Sequence, residues 1–139
     1  QNAFVAGFIG VTNAFSGRVT GGSGDTVAFS LGTLSLVGRP QAGTALPAAG
    51  ARIEAALRAE QIRIGTAPAD LAGLQTVVAG TIVDVIFEGE RVVYEVRADA
   101  LDGTTLRVFD HDPVQHAEFA AGSRVVLGWN ARDLLVFTV

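Results

Sequence analysis

Alternating apolar and polar residues near the C-terminal end constrain the fold of this chain more than any other feature. Apolar residues occupy every second position over 125–129, which ends on the only tryptophan, Trp129, and the alternation resumes over 135–137. A period of two residues is typical of β-strands with one buried face. We therefore predict a hairpin whose strands are joined by a turn over 130–133 and whose apolar face lines a small barrel core.

The same period predicts three more strands upstream, over 81–87, 91–98 and 104–109, joined by short turns. Within this meander, the residues expected to face the core are Val92, Tyr94, Val96, Ala98, Leu106 and Val108. With the C-terminal hairpin closing the meander, we expect a compact five-stranded barrel from about Thr76 to Val139.

The N-terminal part repeats the pattern and adds strands to the same domain. Apolar and polar residues alternate over 15–20 and 27–31, and a shorter apolar pair follows at 34–36. The glycine-rich stretch 21–25 lies between two of these strands with no helix after it, so it is predicted as a hairpin loop and not as a phosphate cradle. The Pro-, Gly- and Ala-rich stretch 39–51 is predicted as a loop.

A short helix is predicted at the N-terminus. Phe4, Val5, Phe8 and Ile9 recur at the spacing of one helix face. Because this face is strongly apolar, its four residues are the candidate interface of the chain. The fold class predicted from the sequence is therefore all-β, with an additional N-terminal helix.

Composition excludes several classes of function. All ten basic residues are arginine, there is no cysteine, and the net charge is −4. Without lysine the chain cannot form the Gly-Lys-Ser/Thr phosphate loop of an ATPase, and without cysteine it has no thiol or disulfide chemistry. The acidic balance argues against nucleic acid, which requires cationic neutralisation of phosphates.

One group of residues resembles a metal site. Asp110, His111 and Asp112, with His116 nearby, offer carboxylate and imidazole ligands. Adjacent strand residues point to opposite faces, and Pro113 marks a turn, so we predict a solvated loop without metal. No catalytic set and no cofactor motif is identified.

Three aromatic residues could form a stacking platform for single-stranded nucleic acid, as in some small barrels. They are Trp129, Tyr94 and Phe109. The strand period places Trp129 and Tyr94 inward, so we predict that they belong to the core.

Four segments in order resemble a known family. The segments 4–19, 56–64, 82–96 and 122–137 are similar to those of the TOBE domain, an oligomer-binding-like (OB-like) module that ends many ABC importer ATPase subunits. They include a junction with Phe-Ile-Gly followed by Asn, an Arg-x-Glu segment, a strand-turn-strand unit and the C-terminal hairpin. Together they span nearly the whole chain.

One position departs from the family pattern and leaves the segment 51–62 open to two interpretations. In the family pattern a proline stands between this Arg and Glu, and here Ala59 takes its place. Because a proline there would interrupt a helix and alanine does not, the residue propensities of the segment predict a helix. We favour a strand through Leu57, followed by a turn over 59–61, because tertiary pairing overrides weak propensities.

The resemblance implies a regulatory and dimerisation domain, residues 13–139, preceded by residues 1–12 as the remnant of a junction with an ATPase domain. The parent would be a cytoplasmic ABC-type ATPase that is peripheral to the inner membrane and powers import through a membrane permease. A polyamine-like substrate is favoured, with iron or sugar as alternatives. The fragment itself would be no enzyme, and we expect a homodimer.

The alternative is a binding module that senses a small ligand or an anion. Ten arginines suit an anion and 14 carboxylates suit a polyamine, and the sequence does not choose between them.

Overall fold

The structure is a computed structural model that describes residues 12–40, 46–89, 91–101, 104–110 and 119–138. The predicted N-terminal helix with Phe4, Val5, Phe8 and Ile9 lies outside these residues. Within them the chain forms strands and short 3-10 turns and no α-helix, so the all-β prediction is confirmed. The strands are β1 (Thr12–Ser23), β2 (Thr26–Leu31), β3 (Leu34–Pro40), β4 (Arg52–Arg58), β5 (Arg63–Gly65), β6 (Thr76–Glu88), β7 (Arg91–Ala98), β8 (Thr105–Asp110), β9 (Arg124–Trp129) and β10 (Leu135–Thr138). The 3-10 turns cover Ala59–Gln61, Pro68–Leu71, Asp99–Leu101 and Ala131–Asp133.

The strands form two sheets of five strands each. The first is a closed barrel in the order β1-β2-β3-β10-β4, and the second is an open sheet in the order β5-β9-β6-β7-β8. All pairings are antiparallel except that of β3 with β10, which is parallel.

The predicted position of the barrel is wrong. The closed barrel consists of the four N-terminal strands and β10, whereas most of the region 76–139 belongs to the open sheet. Alternation of apolar residues shows which face of a strand is buried, and it carries no information on which strands pair to close a barrel.

The predicted C-terminal hairpin is also wrong, although both of its strands exist. β9 pairs with β5 and β6 in the open sheet, while β10 lies between β3 and β4 in the barrel. The 3-10 turn Ala131–Asp133 and the fully buried Leu134 separate the two strands, so the chain passes from one sheet to the other. A connection of this kind anchors both sheets to one core.

The meander prediction is confirmed, with strands β6, β7 and β8 adjacent and antiparallel. β6 begins at Thr76, earlier than predicted, because its first half pairs with β9. The residues predicted to face inward are all buried: Val92, Tyr94, Val96, Ala98, Leu106 and Val108.

The N-terminal strands also follow the prediction, with tighter connections. The hairpin between β1 and β2 turns at Gly24 and Asp25, since Gly21, Gly22 and Ser23 already pair with β2. The predicted loop 39–51 starts too early, because Arg39 and Pro40 end β3 and pair with β10.

The prediction for the ambiguous segment 51–62 is confirmed. β4 covers Arg52–Arg58, and a 3-10 turn covers Ala59–Gln61. β4 has β1 on one side and β10 on the other, and this double pairing outweighs the helix propensity of its alanines.

One continuous core joins the two sheets. Phe29, Leu36 and Ile53 from the barrel belong to the same buried cluster as Tyr94 and Trp129 from the open sheet. Both aromatic residues have 0% exposed surface, so their predicted place in the core is confirmed. The hydroxyl of Tyr94 accepts a hydrogen bond from the Phe119 backbone N–H at 3.2 Å.

Candidate functional site

A cleft of about 510 Å³ lies where the open sheet does not close on itself. Its walls come from β5 and β8, which are the two edge strands of that sheet, and from three of the 3-10 turns. In a closed barrel of five strands, side chains fill the interior. In the open sheet the two edge strands do not pair with each other, and the space between them stays open. We call this space the cleft.

The cleft is lined by charges of both signs. Four carboxylates face two guanidinium groups in its lining, and these residues are Glu60, Asp70, Asp110, Asp133, Arg63 and Arg132. Part of this charge already has partners within the protein. Glu60 forms an ion pair with Arg58 at 2.9 Å, and Asp133 accepts a hydrogen bond from Gln61 at 3.3 Å.

Asp70 serves as a turn-forming residue at the rim of the cleft. Its Oδ2 atom accepts hydrogen bonds from the backbone N–H of Thr66 at 2.9 Å, from that of Ala67 at 3.1 Å, and from the Thr66 hydroxyl at 2.9 Å. These bonds, led by the backbone bond from Thr66, lower the pKa of Asp70 below its ordinary value of 3.8. The carboxylate therefore holds the turn between β5 and the second 3-10 turn.

A second, smaller hollow adjoins the cleft and has a different character. It measures about 180 Å³ and contains the arginines Arg39, Arg58 and Arg132, with Asp133 as its only carboxylate among the described lining residues. We call it the arginine pocket. It shares Arg132 and Asp133 with the cleft, so the two spaces have a common wall.

The parallel pairing of β3 with β10 builds the arginine pocket. Leu135 of β10 is in register with Arg39 of β3 and with Ala56 of β4. The Arg39 backbone N–H donates to the Leu134 carbonyl at 2.8 Å, and its side-chain Nε donates to the Arg132 carbonyl at 3.0 Å. These bonds bring residues 93 positions apart in the chain into one site.

The sequence did not identify these arginines as a site. Arg39 stood in a predicted loop, and Arg132 stood in a predicted hairpin turn. The one available signal was that all ten basic residues are arginine. Arginine is well suited to binding anions, but this composition does not show where in the structure an anion would bind. Only the tertiary pairing of β10 with β3 and β4 brings the three side chains together.

The residues singled out from the sequence lie elsewhere. The candidate interface residues Phe4, Val5, Phe8 and Ile9 are outside the described residues. His111, Asp112 and His116 are outside them too, whereas Asp110 is buried at the end of β8. Across the part of the chain that the structure describes, no group of three His, Cys, Asp or Glu residues could hold a metal ion.

The three aromatic residues do not form an exposed stacking platform. Trp129, Tyr94 and Phe109 are all buried, and the Arg91 guanidinium covers the Phe109 ring at 4.1 Å from its centre. A base could not stack on a ring whose faces are already in contact with protein. Among the described residues, no helix is long and apolar enough to cross a bilayer.

Comparison with known solved structures shows a close likeness of fold. The structure resembles the cytoplasmic molybdate-binding protein ModG, solved with molybdate bound, with a TM-score of 0.75. The superposition covers 91% of this chain and 96% of ModG, at 15% sequence identity. This likeness establishes the shared architecture of barrel and open sheet.

Comparison with curated sequences adds a closer relative. The chain is 34% identical over 136 residues to the spermidine/putrescine import ATP-binding protein PotA of Rubrobacter xylanophilus. The alignment covers 97% of this chain, and the chain spans 34% of the length of that relative. The sequence profile of the TOBE domain matches residues 55–137. The match begins in the middle of β4 and ends one residue before the end of β10. This chain therefore belongs to the TOBE domain family.

Proposed function

We propose that this chain is the regulatory and dimerisation domain of an ATP-binding subunit that powers solute import by an ABC transporter. The observation that carries the proposal is the similarity to PotA over 97% of the chain. A family profile over 55–137 supports the same assignment. In this proposal the domain performs no chemistry, and ATP is hydrolysed by an ATPase domain of the parent protein.

A polyamine is the favoured transported solute, because the similar protein PotA is named as an ATP-binding protein for spermidine and putrescine import. Iron and sugar remain alternatives. The partners of the domain would be the ATPase domain and a membrane permease, and the complex would hold the domain at the cytoplasmic face of the inner membrane. A chain without lysine supplies no phosphate-binding lysine of its own, so we expect no ATP binding by this fragment.

Transport measurements test the proposal. The complete parent protein and a version without residues 13–139 would be reconstituted with their permease, and ATP hydrolysis and spermidine uptake would be measured. We expect the truncated subunit to retain a folded ATPase domain while losing coupling or regulation of uptake. A parent reading frame without an ATPase domain, or uptake that is identical with and without the domain, would contradict the proposal.

The proposed domain division places a junction in residues 1–12 and the folded module in residues 13–139. We further propose a homodimer in which the apolar face of Phe4, Val5, Phe8 and Ile9 packs on a second copy. Sedimentation of the intact chain and of a chain starting at Asn13 tests this. Monomers in both samples at high micromolar concentration would contradict the dimer, and dimers in both would place the contact elsewhere.

Binding of a small regulatory ligand is the second candidate function. It is favoured by two adjoining hollows of about 510 and 180 Å³ and by the shared fold with a molybdate-binding protein. Thermal unfolding of the chain with spermidine, putrescine and molybdate tests this candidate. An upward shift that saturates with concentration supports it, and unchanged unfolding with every compound at millimolar concentration would refute it.

A further inference from the structure

We propose that the cleft is the docking surface for the apolar N-terminal segment of a second copy, so that the two copies exchange residues 4–9. The inference rests on the homodimer proposed above and deepens it by naming the surface that receives the segment. The segment supplies the candidate interface residues Phe4, Val5, Phe8 and Ile9.

The first strand of the barrel begins beside the cleft. Thr12, the first residue of β1, is in register with Arg58, the last residue of β4. The 3-10 turn that follows Arg58 supplies Glu60 and Gln61 to the lining of the cleft. The chain therefore enters β1 next to this wall. At about 3.6 Å per extended residue, the four residues from Thr12 back to Phe8 span up to roughly 14 Å.

A second contact ties the start of β1 to an open edge of the second sheet. The side chain of Asn13 bonds the carbonyl of Arg107 in β8 at 2.9 Å and its N–H at 2.8 Å. Phe109 and Asp110, further along β8, line the cleft. Among the described strands, β8 pairs only with β7 and β5 only with β9. The cleft is thus bordered by two edges that no described strand covers, and soluble proteins usually cover or block such edges.

The walls of the cleft offer apolar surface to the segment. Its apolar lining residues are Ile62, Ile64, Leu71, Ala72, Leu74 and Phe109. Ile64 and Leu74 are only half-buried in the described structure, so an apolar side chain packed against them would remove further apolar surface from water. An apolar helix face docked in a groove of this kind is a common mode of peptide recognition.

The charges of the cleft are compatible with an uncharged occupant. All four of its carboxylates already interact with other residues, as in the ion pair of Glu60 with Arg58. Its two guanidinium groups belong to Arg63 and Arg132, which are exposed and can stay in water at the rim. Residues 1–11 have no charged side chain. The segment can therefore pack in the cleft without adding a charge that would be buried and unpaired.

The short connection to β1 favours exchange between copies over folding back on the same copy. Only Gly10 and Val11 separate Ile9 from Thr12. A connection of this length restricts the directions in which the apolar face can be presented to its own chain, and short hinges favour exchange of identical elements. In a two-fold dimer each exchanged contact occurs twice.

Disulfide trapping tests the docking surface in the full chain, which has no cysteine of its own. A Phe8→Cys chain and an isotope-labelled Leu74→Cys chain are refolded together and oxidised, and mass spectrometry identifies linked pairs of one labelled and one unlabelled chain. The matched control receives the link at Val83→Cys, a valine of β6 that is 39% exposed and does not line the cleft. We expect at least about tenfold more linked pairs with Leu74→Cys than with the control, because docking raises the local concentration of the two thiols.

A second receiving position keeps the test independent of the stability of the Leu74 variant. Ile64→Cys, in β5 on another part of the same lining, should link to Phe8→Cys in the same excess over Val83→Cys. Yields that are equal at the cleft positions and at Val83 would overturn the proposal.

Sedimentation of the full chain provides a second measurement. Phe8→Ser should raise the dissociation constant of the dimer at least about tenfold, because a large apolar side chain loses its buried place. Ala6→Ser, in the same segment but outside the apolar face, is the control and should leave the constant unchanged. In the same Phe8→Ser sample, backbone amide shifts should change at residues 60–64 and 71–74 and stay unchanged around Val83. Equal effects of the two variants, or unchanged shifts in the cleft, would overturn the docking surface.

The outcomes also separate this inference from the dimer on which it rests. A dimer whose Phe8→Cys chains link equally well to Leu74→Cys and Val83→Cys would leave the dimer intact and overturn the cleft as its docking surface. Links that form only within a chain carrying both Phe8→Cys and Leu74→Cys would overturn the exchange. Monomers at high micromolar concentration would overturn both the dimer and the exchange, while the uptake measurements on the parent transporter would still decide the transport role.

Discussion

The side-chain amide of Asn13 pairs with both backbone polar groups of Arg107 in the manner of an additional strand. Asn13 Nδ2 donates to the Arg107 carbonyl at 2.9 Å, and the Arg107 N–H donates to Asn13 Oδ1 at 2.8 Å. Asn13 is in β1 of the barrel, and Arg107 is in β8 at the edge of the open sheet. One buried amide thus joins the two sheets across 94 positions and occupies part of an exposed sheet edge.

Replacing Asn13 with alanine should lower the free energy of unfolding by about 1–3 kcal/mol, because the N–H and carbonyl of Arg107 would lose their partners. Denaturation in urea, followed by circular dichroism, measures the change. Ser16→Ala on the same strand is the control, since its hydroxyl bonds Glu54 on the exposed surface. It should cost less than about 0.5 kcal/mol. Equal effects of the two substitutions would show that the amide pair does not stabilise the fold.

Trp129→Ala should destabilise the protein by about 3–5 kcal/mol, the range for removing a large core aromatic. Trp129 has 0% exposed surface, and no acceptor among the described residues binds its Nε1 atom. As the only tryptophan, it also reports folding through its own fluorescence, which should be blue-shifted in the native state. A loss below about 1 kcal/mol in denaturant unfolding would contradict its place in the core.

Gly38→Ala should destabilise the barrel where β3 meets β10. A Cβ atom at position 38 would lie 2.6 Å from the Leu134 carbonyl oxygen and 2.7 Å from a Val136 methyl group. The strands would have to separate, at a cost of about 1–3 kcal/mol. Gly21→Ala is the matched control in the same barrel, because no atom lies within 4 Å of its added Cβ. Thermal unfolding of both variants should therefore show a large shift only for Gly38→Ala.

Asp70 should titrate below its ordinary pKa of 3.8, because three hydrogen bonds from Thr66 and Ala67 favour the carboxylate. A lowered pKa in the folded state means that the contribution to stability is present above pH 3.8 and is lost as the pH falls through the folded pKa. Carboxyl carbon shifts measure the midpoint directly. The stability difference between wild type and Asp70→Asn should shrink between about pH 5 and pH 2. A midpoint at or above 3.8 would contradict the role of these bonds.

The described strands and their buried faces were largely determined by the sequence. A period of two residues identified β7 and β8, and it placed Tyr94 and Trp129 in the core. These features are local, because a strand with one buried face must carry apolar side chains at alternate positions whatever its neighbours are. Propensity alone predicted a helix where the structure has the strand at 52–58, and the resemblance to the family favoured the strand.

Only the tertiary structure decided which strands pair. β10 follows β9 in the chain, yet it lies between β3 and β4, and the barrel closes around it instead of around the meander. The arginine pocket depends on the same choice, since Arg39 and Arg132 meet only because β3 and β10 run side by side. Which strands pair is decided by how well the apolar faces of the two sheets pack on each other. It is also decided by whether the backbone N–H and carbonyl groups of each strand find hydrogen-bond partners in strands that are distant in the chain. Local alternation records none of this, so the sequence by itself determined the strands and their faces, and the packing of both sheets on one core determined the barrel and the site.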